Sequence, residues 1–228
     1  MKIEGIENVS LVDYPGQVCA TIFTGGCNFR CPFCHNSGIV ENRYNEYSEE
    51  EIFAYLQSRK KLLDAVVVSG GEPTLHRDLP EFIKRIKEMG FLVKLDTNGT
   101  NPEMVKRLLE EKTIDYVAMD IKTNYEDYSS LAGVKNAGVD KIKETLTLLH
   151  EYGVPYELRT TLVGGLHKEE NIQRMAQDLK GEKLLYLQKF KDNEGCFVKG
   201  LREVEQKTAT EYQKILKKTI KEVKLRGY

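Results

Sequence analysis

The chain has 228 residues, with 34 Lys and Arg against 35 Asp and Glu and a formal net charge of −1. That balance removes any bulk electrostatic pull toward nucleic acid or an anionic membrane surface, so partners must be recognised by shape. No apolar run is long enough to cross a bilayer and no basic-then-apolar leader opens the sequence, which predicts a reducing, cytoplasmic setting. The length suits one α/β domain over residues 1–228, with a core of about 17–190 and a C-terminal helical extension over 191–228.

Ile3 to Gly16 reads as a short irregular lead-in that ends in the turn Tyr14-Pro15-Gly16, and Val18 to Thr24 follows as a buried strand. Ser48 with Glu51 has the spacing of a capping box and opens a helix through about Arg59. Ala65 to Ser69 is apolar on both faces, as a parallel strand covered by helices should be. A helix from Leu79 to Met89 is stopped by Gly90. The alternation then repeats with strand Phe91 to Asp96, helix Pro102 to Glu111, strand Tyr116 to Ile121, helix Val139 to Tyr152 and strand Pro155 to Leu162. Helix Lys168 to Leu179, strand Leu184 to Lys189 and a charged helix over Thr208 to Leu225 complete the chain. That last helix reads as a solvated face, or as a cover for an open barrel side. Strand alternating with helix predicts a parallel sheet with right-handed crossovers, and six such units fall two short of a closed (β/α)8 barrel.

Chemistry concentrates between Thr24 and Asn36, where Cys27, Cys31 and Cys34 stand in one glycine-led loop. Three thiols at that spacing can wrap one face of an iron-sulfur cube and leave its fourth iron open to a small molecule bearing an amine and a carboxylate. A zinc site would need His35 as a fourth ligand directly after Cys34, against the usual two spaced pairs. A disulfide framework suits neither the odd number of cysteines nor their crowding. Cys19 and Cys196 lack partners at motif spacing and read as small buried residues.

Cys-x-x-x-Cys-x-x-Cys with Phe33 before the last cysteine resembles the signature of the radical S-adenosylmethionine superfamily. Gly26-Cys27-Asn28-Phe29-Arg30-Cys31-Pro32-Phe33-Cys34-His35-Asn36, preceded by Ser10 to Gly16, resembles the activating enzymes of glycyl-radical enzymes. Among these it is most similar to the activating proteins of anaerobic ribonucleoside-triphosphate reductases, and the resemblance runs from about Ile3 to Phe190. It implies a partial (β/α)6 TIM-type barrel and a [4Fe-4S] cluster on Cys27, Cys31 and Cys34, with S-adenosylmethionine on the open iron. The reaction it implies is reductive cleavage of that cofactor to a 5′-deoxyadenosyl radical, which takes hydrogen from a glycine of a partner enzyme. An external low-potential reductant such as flavodoxin or ferredoxin is implied as well.

The same resemblance assigns Gly70, Gly71, Glu72 and Pro73, directly after the second strand, to the cofactor's amino group. Their glycines admit close backbone approach, and a branched side chain at Gly71 is expected to weaken cofactor binding while leaving the cluster intact. Asp96, Thr97 and Asp120 are implied to hold a monovalent cation beside the cofactor carboxylate, and Lys122 to reach the cofactor itself. The competing reading is local, with Asp96 and Asn98 in turn hydrogen bonds and Asp120 paired with Lys122. Arg159 and Gln188 are candidate contacts to the carboxylate or adenosine, although Arg159 could pair with Glu157, and Phe33 could stack near adenine or sit in the core. His76, His150 and His167 read as surface or capping residues. Two alternatives stand beside the activase: a radical enzyme with a small-molecule substrate, like the 7-carboxy-7-deazaguanine synthases, and a non-catalytic metal-binding or electron-transfer module.

Overall fold

The computed structural model describes residues 1–44 and 46–228. In chain order the elements are β1 (Ile3–Ser10), β2 (Cys19–Thr24), α1 (Ser37–Val40), α2 (Glu49–Arg59), β3 (Ala65–Gly70), α3 (Leu79–Glu88), β4 (Leu92–Thr97), α4 (Pro102–Glu110) and β5 (Tyr116–Asp120). There follow α5 (Tyr128–Leu131), α6 (Val139–Tyr152), β6 (Tyr156–Gly164), α7 (Glu169–Asp178), β7 (Leu184–Lys189), β8 (Arg202–Glu203), α8 (Gln206–Leu216) and β9 (Glu222–Arg226). They fall into two compact units, one of residues 1–28, 38–118 and 140–155, the other of 29–37, 119–139 and 156–228. The division passes through β5 rather than through a linker.

In the first unit β2, β3 and β4 run parallel, with Ala65 opposite both Cys19 and Leu92. Ala65, Val66, Val67 and Val68 are all fully buried, so both faces of β3 are covered, as its unbroken apolar run demands. On α3 the spacing of Leu79, Phe82, Ile83 and Ile86 puts all four on one buried stripe. Each such side chain contributes about 1.5–3 kcal/mol on leaving water. The expected capping box is present at α2: Ser48 Oγ accepts from the Glu51 N–H at 3.2 Å, and Glu51 accepts in return from the Ser48 N–H at 2.8 Å.

The lead-in departs from expectation, because Ile3–Ser10 is a strand antiparallel to β2. Gly5 breaks its apolar alternation in the sequence, yet a Cβ there would only touch the Phe23 ring at 3.5 Å, so the position pairs without difficulty.

In the second unit β6, β7 and β9 run parallel and β8 pairs antiparallel with β6. The expected terminal helix is therefore corrected: α8 ends at Leu216, and the chain returns as a further parallel strand. Thr219 and Ile220 are β-branched, and Val223-Lys224-Leu225 alternates with the period of a strand. The Arg226 guanidinium donates to the buried Glu157 carboxylate at 3.2 Å, which fixes β9 to β6. Among the described residues no helix is long and apolar enough to cross a membrane.

Candidate active site

In the first unit the backbone leaving β3 holds the start of the cysteine loop. The Gly71 N–H donates to Thr24 O and the Glu72 N–H to Gly26 O, both at 2.9 Å, while the His76 ring nitrogen Nε2 lies 2.9 Å from Gly25 O. A Cβ on Gly71 would stand 1.8 Å from Gly26 O, and one on Gly70, whose φ is +118°, would stand 2.3 Å from Thr24 N. The glycines do admit close backbone approach, and what approaches them is the loop that carries Cys27.

Glu72 is turned into the protein. Its carboxylate accepts from the Thr74 N–H at 3.1 Å, the Thr74 hydroxyl at 2.6 Å, the Thr97 hydroxyl at 2.7 Å and the Asn98 N–H at 2.6 Å. Burial raises its carboxyl pKa, and these donors work against that rise. Four donors on one carboxylate tie the end of β3 to the end of β4, so the side chain expected to serve the cofactor is a clamp. Thr97 is likewise engaged, donating to Glu72 and accepting from the Gly99 N–H at 3.1 Å.

Asp96 accepts from Lys94 Nζ at 2.6 Å and from the Ser69 hydroxyl at 3.0 Å. Strand period two places Lys94 and Asp96 on the same side, so the ammonium comes from the same strand. This is a local pairing, which competes with the expected cation on Asp96, Thr97 and Asp120.

In the second unit Cys31 is buried and Cys34 half-buried, and the Cys34 N–H donates to Cys31 O at 3.0 Å. The segment around them is held on two sides. The Arg30 N–H donates to Ala132 O at 2.8 Å, the Ser37 N–H to Gly195 O at 3.1 Å and the Val198 N–H to Pro32 O at 2.9 Å. Residues 195–198, expected to belong to a peripheral extension, are thus a clasp on the cysteine loop. Cys19 and Cys196 are buried and unbridged, as expected. Burial raises the Cys31 and Cys34 thiols above the ordinary range, and the Lys122 ammonium draws both back.

Asp120, Lys122 and Arg159 form one charged group. Lys122 Nζ donates to Asp120 Oδ2 at 3.0 Å, and Arg159 Nε donates to Asp120 Oδ1 at 2.9 Å. Burial by itself would raise the Asp120 carboxyl, but Arg159 and Lys122 outweigh it and bring the pKa down to about 2. Burial would lower Lys122, and Asp120 outweighs that in turn, leaving the ammonium above the ordinary lysine value. Two cations thus meet on one carboxylate. Glu157, two residues before Arg159 on the same strand, takes Arg226 at 3.2 Å. Arg159 and Thr161 share a half-buried side of β6, while the Thr160 hydroxyl is buried against Ile121 O at 2.7 Å. Gln188 is half-buried on β7 in register with Thr161. Phe33 is buried, 6.3 Å from the His167 ring, in a core position.

His167 was a weak signal in the sequence and proves structural. It is 2% exposed, its Nδ1 accepts from the Val163 N–H at 3.0 Å, and its Nε2 lies 2.8 Å from Lys122 O. The first bond fixes the tautomer, so Nε2 carries the proton and donates. Tyr128 completes the support: its hydroxyl accepts from the Lys122 N–H at 3.2 Å and donates to Asp120 O at 3.1 Å.

A pH prediction follows from this arrangement. Burial lowers the His167 pKa in the folded state, so its contribution is intact above the ordinary histidine value near 6.5 and declines as pH falls below it. One proton gives a slope of at most about 1.4 kcal/mol per pH unit. His35 shifts the same way, so the measurement is the difference between wild type and His167→Gln in urea unfolding from pH 7.5 to 5. The variant's profile should be flatter; parallel profiles would contradict the assignment.

The profile of the Radical SAM superfamily matches residues 21–179. The chain belongs to the radical SAM superfamily and is an enzyme of that class. Over 230 aligned positions it is 37% identical to a protein of Methanocaldococcus jannaschii that bears the name putative glycyl-radical enzyme activating enzyme, covering 98% of this chain and 95% of that one. It is 32% identical to the pyruvate formate-lyase-activating enzyme of Clostridium pasteurianum, over 78% of this chain and 76% of the other. Among solved structures, a radical SAM methyltransferase from Sphaerobacter thermophilus superposes with a TM-score of 0.71 at 18% identity, covering 93% of this chain and 67% of that one. At that identity the likeness shows the fold alone, and it bears out the expected α/β class of the partial TIM-type barrel. Membership carries the superfamily's cofactors, a [4Fe-4S] cluster and S-adenosylmethionine.

Proposed function

We propose that this chain is an activase that generates a glycyl radical on a partner enzyme, anaerobic ribonucleoside-triphosphate reductase, using an external low-potential reductant. The observation that carries the reading is the near full-length 37% identity to the relative so named, joined to the wording of residues 26–36. Cys27, Cys31 and Cys34 would hold the cluster, since all three are unbridged thiols of one loop and no fourth cysteine stands at motif spacing. When bound, the cluster and S-adenosylmethionine supply the electron and the radical chemistry.

What the chain's own residues supply is position and charge. Lys122 and Arg159 would receive the cofactor carboxylate, since both are cations that donate N–H groups and Asp120 holds both in place. His167 and Tyr128 fix the backbone at Lys122 and so aim its ammonium. The Gly70 to Pro73 segment would meet the amino group with its backbone, while Glu72 keeps that backbone rigid. Gln188 would border the adenosine.

The test is anaerobic reconstitution with iron and sulfide, then addition of S-adenosylmethionine and dithionite. The expected products are a [4Fe-4S] spectrum that changes on adding the cofactor, and 5′-deoxyadenosine. Bound zinc, or a cluster indifferent to S-adenosylmethionine, would contradict the reading.

A further inference from the structure

We infer that Asn98 is a positioning residue for the cluster, donating a side-chain N–H to the Cys27 sulfur and so raising the cluster's reduction potential. The inference rests on the reading that Cys27 is a ligand, and it comes from a closed ring of side chains in the first unit. Asn28 Nδ2 donates to Thr100 Oγ1 at 2.8 Å, the Thr100 hydroxyl donates to Asn98 Oδ1 at 2.7 Å, and Asn98 Nδ2 donates to Asn28 Oδ1 at 2.8 Å.

The sense of the ring is fixed from outside it. The Thr100 N–H also donates to Asn98 Oδ1, at 3.0 Å, so that atom faces two donors and must be the oxygen. The Asn98 N–H is itself anchored on Glu72 Oε2 at 2.6 Å, and the residue is 5% exposed. An amide nitrogen carries two hydrogens. One goes to Asn28, and the nitrogen lies 4.0 Å from Cys27 Sγ for the other. That is the outer limit of a contact to sulfur, and a thiolate is a better acceptor than a thiol. The Cys27 thiol also faces Asn28 Oδ1 at 4.0 Å, a contact in which sulfur is the donor and which a deprotonated Cys27 would not make.

An N–H aimed at a ligand sulfur favours the reduced cluster, which carries the extra negative charge. Glu72 and the Thr100 N–H therefore set the aim of Asn98, and both contacts outlast loss of the Thr100 hydroxyl, while Asn98 sets part of the potential. The sequence reading gave Asn98 only a turn role, and the Thr100 N–H bond shows that it has that role as well.

The experiment is a potentiometric titration of the electron paramagnetic resonance signal of the reduced cluster in the reconstituted full chain. Wild type is compared with Asn98→Ala, Asn98→Asp and Thr100→Val, with iron counted in each. Asn98→Asp keeps the oxygen that accepts from Thr100 and loses the donor, whereas Asn98→Ala loses the donor without adding charge. Both should keep their iron and move the midpoint to more negative potential. At a fixed poise the reduced-to-oxidised ratio should fall on the order of tenfold, which is about 59 mV for one electron. Thr100→Val, which opens the ring but keeps the Asn98 amide, should shift the ratio by less than roughly threefold. An unchanged midpoint in Asn98→Ala would overturn the inference, as would an equal shift in Thr100→Val, which would mean simple displacement of the loop. Loss of iron from both Asn98 variants would overturn it too, since one N–H tunes a cluster and does not hold it. Failure of wild type itself to form a cluster would instead remove the ligand reading on which the inference stands.

Discussion

Cys31→Ala should abolish cluster assembly, lowering iron per chain at least roughly tenfold and removing the brown colour, because two thiolates do not retain a cube against solvent. Cys31 is the most enclosed of the three loop cysteines, so no water-borne ligand can easily replace it. Cys19→Ala and Cys196→Ala should keep their iron. Cys19 Sγ donates to Ser10 O at 3.5 Å, and Cys196 Sγ lies 4.0 Å from Phe33 O; both are packing positions. Iron counting on the three reconstituted variants decides it. Full occupancy in Cys31→Ala, or loss in both of the others, would mean that the ligands are wrongly assigned.

Gly71→Val should damage the cluster and the fold together, and here the structure reverses the expectation from sequence. A Cβ at residue 71 would meet Gly26 O at 1.8 Å and Gly26 C at 2.6 Å, with Cys27 Cβ at 3.4 Å. Both near atoms are backbone, so nothing flexible can yield, and the peptide before Cys27 must move. A stability loss of about 3 kcal/mol is expected, the upper part of the range for overpacking, together with loss of iron. Gly71→Ala should err in the same direction, because the clash belongs to Cβ itself. Urea unfolding and iron content on both variants test this. A stable Gly71→Val protein with full iron and weakened cofactor binding alone would restore the view that the glycine serves only the cofactor.

The elements that sequence could reveal were those with a local cause. The Ser48 and Glu51 pair fixed the start of α2, the unbroken apolar run from Ala65 gave β3, and α6 falls on Val139–Tyr152 as its periodicity requires. The cysteine loop was legible because its spacing is itself the chemistry. What stayed hidden depends on partners distant in sequence. Ile3–Ser10 is a strand because β2 lies beside it, and residues 222–226 are a strand because β7 does. In the charged tail, lysine and glutamate at helical spacing outweighed the short alternation of Val223 and Leu225.

The candidate site divides along the same line. Lys122 and Asp120 were legible as charges at a strand end, and they pair locally there, but the Arg159 pairing joins residues 39 apart. Glu72 was assigned to the cofactor by resemblance alone, and its four donors from Thr74, Thr97 and Asn98 become visible only in the fold. His167 carried no motif at all; its two backbone partners, Val163 and Lys122, become visible only in the fold. Asn98 gave a turn signal, and its side chain does accept from the Thr100 N–H at 3.0 Å.

The most direct test of the account is to mix the reconstituted, reduced chain and S-adenosylmethionine with an anaerobic ribonucleoside-triphosphate reductase from the same organism and record the electron paramagnetic resonance spectrum. The hydrogen to be removed must come within contact distance of the cofactor's reactive carbon, so the partner must present its glycine in an extended, closely approached loop. The account predicts a stable glycine-centred doublet on the reductase, lost when the partner's glycine is replaced by alanine. Its absence with every glycyl-radical partner tried, together with many-fold faster cofactor cleavage in the presence of a small molecule, would contradict the activase reading.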